Sequence, residues 1–147
     1  MAEHNDIFEA LVAEGVDAGL HESPILLDVK STPMPALHRA FTLDIQTRNS
    51  TKNRDRRETT IRQLHDVIYR IAHLLDPVNQ TETQRAAYQD GQNVVVEVMN
   101  TIASPLNTCS INYVKTARTL NPPREWLFTD VTFTVEVSWS IATVAAP

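Results

Sequence analysis

The run Val131-Thr132-Phe133-Thr134-Val135-Glu136-Val137-Ser138-Trp139-Ser140-Ile141 alternates without a slip, apolar residues on one parity and Thr, Glu and Ser on the other. A period of two is that of a strand with one face buried and one face wet. At about 3.4 Å per residue the run is longer than the usual strand of about five or six residues, so it can pair with several partners and extend past them. Just before it, Cys109, Ile111 and Tyr113 alternate with Ser110 and Asn112, and Asn121-Pro122-Pro123-Arg124-Glu125 has the composition of a turn. Residues 108–118 and 126–141 are therefore expected to be adjacent antiparallel strands, followed by a tail over residues 142–147. Trp139 belongs to the apolar alternation and is expected in the core. Trp126, beside two prolines, has two readings: an anchor at a corner or protein interface, or burial in the same core.

Upstream, Ala87, Gly91, Val94, Val98 and Ile102 recur at helical spacing and stop at Ser104-Pro105. Residues 82–103 are read as a helix, with Val94-Val95-Val96 leaving a strand as the alternative. Ile61, Leu64, Ile68, Ile71 and Leu75 also step by three and four, and Asp76-Pro77 ends the pattern. Residues 59–75 are therefore expected to be a helix, with His65 and His73 on its surface. Between Leu37 and Thr47 the alternation of Leu37, Arg39, Phe41, Leu43 and Ile45 with His38, Thr42, Asp44 and Gln46 predicts a second strand with one wet face. Pro33 and Pro35 flank the preceding stretch, and Ile25-Leu26-Leu27-Asp28-Val29 before them reads as an edge segment or extended linker. At the start of the chain, Ile7, Phe8, Leu11, Val12, Val16 and Leu20 predict an amphipathic helix over about residues 6–20, with Asp6 and Glu9 as a capping pair and Gly19 as a stop.

Between the second strand and the following helix the chain turns polar: Arg48-Asn49-Ser50-Thr51-Lys52-Asn53-Arg54-Asp55-Arg56-Arg57-Glu58. Its length exceeds a tight hairpin turn, so residues 48–58 are expected to project from the sheet as a loop or ribbon tip. Arg48, Lys52, Arg54, Arg56 and Arg57 make it the concentrated basic patch of the chain. No Lys or Arg precedes Lys30, whereas Glu3, Asp6, Glu9, Glu14, Asp17, Glu22 and Asp28 do. The amino-terminal arm thus carries the acidic excess.

A length of 147 residues suits one core and one domain. The hydrophobic share of 42%, charged share of 21% and net charge of -5 are those of a globular chain with no global attraction to nucleic acid or anionic membrane. The single cysteine, Cys109, excludes an intramolecular disulfide and a cysteine-based zinc site, and reads as a small buried hydrophobe. The amino terminus has neither a basic start nor an apolar run, and no segment approaches the roughly 20 apolar residues of a membrane span, so neither a signal peptide nor a bilayer crossing is expected.

With three glycines, Gly15, Gly19 and Gly91, the chain has neither a dinucleotide fingerprint nor a P-loop. Its five histidines, His4, His21, His38, His65 and His73, lack the spacing of a helical zinc pair. Asp44 and Glu136, on wet strand faces, are the remaining candidates for an acid and base pair. No spacing predicts convergent catalytic groups, so the chain is expected not to be an enzyme.

The order of elements, an acidic helix, a strand ending in a long basic loop, two helices and two closing strands, resembles that of the tail terminator and neck proteins of tailed bacteriophages. The nearest local likeness lies in Arg39-Ala40-Phe41-Thr42-Leu43-Asp44-Ile45 and Phe128-Thr129-Asp130-Val131-Thr132-Phe133-Thr134-Val135. The resemblance implies an α+β protomer, mainly an antiparallel β-sheet with helices packed on one face. It also implies a hexameric ring, without cofactor or metal, that is part of the virion tail or neck and assembles in the host cytoplasm. Such a ring caps the tail tube protein, joins it to the head connector, and lets DNA through without sequence-specific binding. A head-completion or stopper protein of the neck is the alternative within that family, and a small nucleic-acid-binding module using the basic loop is the alternative outside it. In the ring, Arg54, Arg56 and Arg57 are expected to meet acidic surfaces of a neighbour.

Overall fold

The computed structural model describes residues 2–28, 30, 33–47, 60–102, 109–121 and 124–140. It is an α+β domain whose five strands form one sheet in the order β1-β2-β3-β5-β4. The strands are β1 (His21–Glu22), β2 (Ala40–Thr47), β3 (Thr60–Leu74), β4 (Cys109–Leu120) and β5 (Trp126–Ser140). The pairs β2–β3, β3–β5 and β5–β4 are antiparallel, and the two-residue β1 lies parallel to the start of β2. Two helices, α1 (Ala2–Asp17) and α2 (Gln80–Glu97), are joined to this sheet, α2 running on into a π-helical turn over Val98–Ile102.

The closing strands sit where the alternation puts them, with Ile111 beside Val135 and Val67 beside Phe133 across the β5 ladders. The expected helix over residues 59–75 is instead β3, the central strand, paired with β5 from Thr60 to Leu74 and with β2 from His65 to Ile71. The reason lies in its two covered faces. Val67, Tyr69 and Ile71 face the helices, while Ala72 packs in a second cluster on the opposite face, so apolar residues on both parities erase the period of two. Their overlay mimics steps of three and four. The β-branched and aromatic content of Ile61, Val67, Ile68, Tyr69 and Ile71 was the contrary signal. His65 and His73 are accordingly buried strand residues, not helix-surface ones.

Elsewhere the elements agree with the expectations apart from their ends. Residues 94–96 are helical, and Asn79 caps α2 by accepting the Glu82 N–H at 3.2 Å, while its own amide donates to Glu82 Oε2 at 3.1 Å. Helix α1 begins at Ala2, so Asp6 and Glu9 lie inside it and do not form its cap. It ends where predicted: Gly19 has φ of 92°, and the N–H groups of Ala18, Gly19 and Leu20 close back onto the last turn. Strand β2 starts at Ala40 instead of Leu37, because Pro35–Leu37 form a 3-10 turn and Arg39 has φ of 63°. The basic loop at 48–58, the tail at 142–147 and the side chains of Cys109 and Trp139 lie outside the described residues.

The main core lies between the helices and one sheet face: Leu11, Ala18, Leu20, Phe41, Val67, Tyr69, Ile71, Val94, Val98, Ile111, Val131, Phe133 and Val135. On the other face, Leu27 and Leu37 from the segment between β1 and β2 cover Ala40, Ala72, Trp126 and Phe128. That segment is fastened by Arg70, whose Nη1 donates to the Leu27 carbonyl at 3.1 Å while Nε and Nη2 grip Asp130 at 2.8 and 3.0 Å. Trp126 is therefore internal, which corrects its reading as an interface anchor: Leu27, Leu37 and Phe128 already enclose the indole within the monomer.

Helix α1 approaches the sheet at a glycine. A β-carbon added at Gly15 would stand 2.5 Å from Cζ of Phe41, itself fully buried. In Gly15→Ala the gain in helix propensity, up to about 1 kcal/mol, is set against overpacking of about 1–3 kcal/mol. A net loss of about 1 kcal/mol is expected, read as a lower urea midpoint at unchanged slope. An unchanged or higher midpoint would mean that Phe41 yields without cost.

Candidate assembly interface

The most concentrated polar chemistry in the described residues is internal. Asp90, on the sheet-facing side of α2, accepts Arg39 Nε–H and Nη2–H at 3.0 Å each and His73 Nε2–H at 2.7 Å. The left-handed backbone at Arg39 aims its guanidinium at α2 while its N–H donates to the Ala72 carbonyl at 2.7 Å. His38 Nδ1 accepts the Leu74 N–H at 2.9 Å, and its ring stands edge-on to His73 at 5.7 Å between centroids.

Burial alone would push the Asp90 carboxyl up, but the hydrogen bonds from His73 and Arg39 outweigh it and hold Asp90 below the usual carboxylate range. The hydrogen bond to Asp90 raises the Arg39 guanidinium. Burial, followed by the neighbouring His73 and Arg39, lowers His38. A buried imidazole on a carboxylate is the orienting half of a catalytic triad. Here, however, His73 is 0% exposed and its Nε2 is spent on Asp90. The described contacts bring no hydroxyl or thiol to His73, so the cluster acts as a brace between α2, β3 and the start of β2.

The other acid and base candidates do not converge. Asp44 lies beside Ile68, which lies beside Thr132, and Glu136 is four residues farther along β5. At the usual strand spacing and rise they are roughly 16 Å apart. Glu14, Asp17 and Glu97 do bring carboxylate oxygens within 4.8 Å of one another, where α1 and α2 end. Helix carboxyl ends are already negative, so three acids there repel one another.

What the fold leaves open is its flanks. Strand β4 is outermost, and no described residue pairs with its outer edge. From Ser110 to Leu120 it is exposed except at Ile111 and, in part, Thr116. It presents Tyr113, Val114 and Leu120 together with Lys115 and Arg118, and contains no acid. Arg118 shares a shallow groove with Thr81, Gln84, Arg85, Tyr88 and Gln89 of α2. A long bare edge with apolar side chains is a template for another strand, and an isolated monomer would be expected to shorten or cover it.

Of the interface residues expected from sequence, Arg48, Lys52, Arg54, Arg56 and Arg57 lie outside the described residues, and Trp126 is internal. Arg85, Lys115 and Arg118 of this flank come from separate elements, so no run in the sequence marks them. Asp90 had a legible signal: it is an acid directly beside Gly91 in the apolar stripe of Ala87, Gly91, Val94 and Val98. Among the described residues, no helix is long and apolar enough to cross a membrane. No known protein-family model matches the sequence, and no curated protein matches it either.

Proposed function

We propose that this chain is a structural protein of a tailed-phage virion, a tail terminator whose copies form a ring at the end of the tail tube and join it to the head connector. The observation that carries the proposal is the outermost strand β4, 12 residues long, whose outer edge no described residue pairs, on a small α+β domain. A ring protomer needs such an edge, because rotational symmetry sets one surface of each copy against a different surface of the next. The local likeness of residues 39–45 and 128–135 to terminator and neck proteins supplies the biological setting, with β3 standing where that likeness had placed a helix. A net charge of -5 suits a DNA conduit, since an acidic wall repels phosphate instead of retaining it.

The test is molar mass by light scattering behind a sizing column, with negative-stain images of the same peak and of the protein mixed with tail tubes. Rings in solution or seated on tube ends are the expected result. A protein that stays monomeric and ignores the tubes would sink the proposal, and salt-sensitive DNA binding by that monomer would favour a nucleic-acid module.

A further inference from the structure

The following rests on the ring proposed above and specifies how its copies meet. We propose that the β4–α2 flank of one copy docks on the β2–α1 flank of the next copy, β4 adding to the free edge of β2 so that the sheet continues across the joint.

Both ends of the sheet offer backbone to a partner. On the β2 side, β1 pairs only with Ala40 and Phe41, and the Ser23 N–H then closes on the Phe41 carbonyl at 2.8 Å. With the Phe41 carbonyl pointing to that side, the strand's alternation turns the backbone groups of Leu43, Ile45 and Thr47 outward too. No described strand takes them up. Strand directions agree as well. Since β2 is antiparallel to β3, β3 to β5 and β5 to β4, the outer strand β4 runs opposite to β2. A second copy added in the same orientation therefore sets β4 antiparallel to β2, as in every long pairing of the fold.

Charge matches face by face. Lys115 pairs in register with Thr132, and Asp44 with Ile68, which is itself paired with Thr132, so both side chains stand on the sheet face away from the helices. Arg118 pairs with Thr129 and stands on the helix face, beside Arg85. The exposed acid Glu9 belongs to α1, the helix packed over the β1–β2 side of that same face. Each basic position thus has acid on the matching face of the opposite flank. Exposed apolar groups accompany both: Tyr88 and Leu120 on one flank, Phe8 and Val16 on the other. The ladder shift between Tyr113 and Lys115, and the lysine itself, discourage pairing with an arbitrary strand. An acid on the receiving edge turns that guard into selectivity for the correct neighbour.

A heterologous joint of this kind has a distinctive test. One double variant, Lys115→Glu with Arg118→Glu, makes both flanks acidic, and a second, Glu9→Lys with Asp44→Lys, makes both basic. Each alone is expected to stay near the monomer mass of 16.5 kDa in sedimentation, in solution and with tail tubes. An equimolar mixture is expected to regain the ring mass, because alternating copies restore every joint. Unchanged thermal unfolding of each variant, together with rescue on mixing, separates lost docking from lost folding. Variants that each assemble like the parent, or a mixture that stays monomeric although the parent forms rings, would overturn this interface and leave the ring standing. A parent protein that never assembles, even on tubes, would remove the ring and this joint together.

Discussion

Replacing Asp90 by alanine is expected to lower the unfolding free energy by about 3 kcal/mol, which for a domain of this size means a thermal midpoint lower by roughly 6–12 °C. The carboxylate is buried and holds three hydrogen bonds from two cations or potential cations on other elements. Truncation leaves His73 fully buried with its Nε2–H unanswered, and that loss dominates. Arg39, whose side chain is 43% exposed, can turn its guanidinium to water, which keeps the cost at the low end for a broken buried pair. Asp90→Asn preserves shape and one acceptor, so it should cost less than the alanine.

The pH dependence carries a definite sign. The folded-state pKa of Asp90 is depressed, so the native state binds fewer protons than the unfolded state as this group titrates. Its stabilisation is fully present above the unfolded carboxyl value of about 3.9 and is lost as pH falls through the lower folded value. The gap between parent and Asp90→Asn in urea midpoints should therefore be constant near neutrality and close in strong acid. A gap that is absent at pH 7, or that widens on acidification, would show that the brace contributes nothing through its charge.

The sequence disclosed the outer parts of this fold better than its centre. Where one sheet face is wet, as along β5 from Asp130 to Glu136, side-chain alternation reports burial directly and the strand is legible. β3 is covered on both faces, and with apolar residues on either parity its periodicity reports two overlaid cores instead of one helix. The helix α2 was legible despite its run of three valines because its buried residues keep to one helical stripe, Ala87, Gly91, Val94 and Val98, with Tyr88, Gln89 and Val96 exposed around it. Of the candidate surfaces, a basic run within one loop is visible in sequence, whereas Arg85 and Arg118 become one patch only when α2 crosses the sheet and β4 lands at its edge. Such a patch has no linear signature.

Trp126→Ala is expected to be the most damaging single change on the sheet face away from the helices, costing about 3–5 kcal/mol. The indole is 1% exposed and fills the small core under Leu27 and Leu37, against Ala40, Ala72 and Phe128. Its backbone is fixed independently: Asn121 Oδ1 accepts the Trp126 N–H at 3.0 Å, and the Asn121 N–H donates to the Trp126 carbonyl at 3.1 Å. The turn into β5 should thus survive the substitution, and the loss is one of packing. Alanines at positions 40 and 72 have no side-chain reach with which to refill the space, so the cavity would persist. Trp126→Phe keeps an aromatic ring in place and should recover about half of the loss. The same variants decide between an internal and an external tryptophan. An internal one lowers the unfolding midpoint at any protein concentration and leaves ring formation by the folded fraction intact. If Trp126→Ala kept its midpoint but stopped assembling, the indole would belong to a neighbouring copy's surface, and Leu27 and Leu37 would not be its cover.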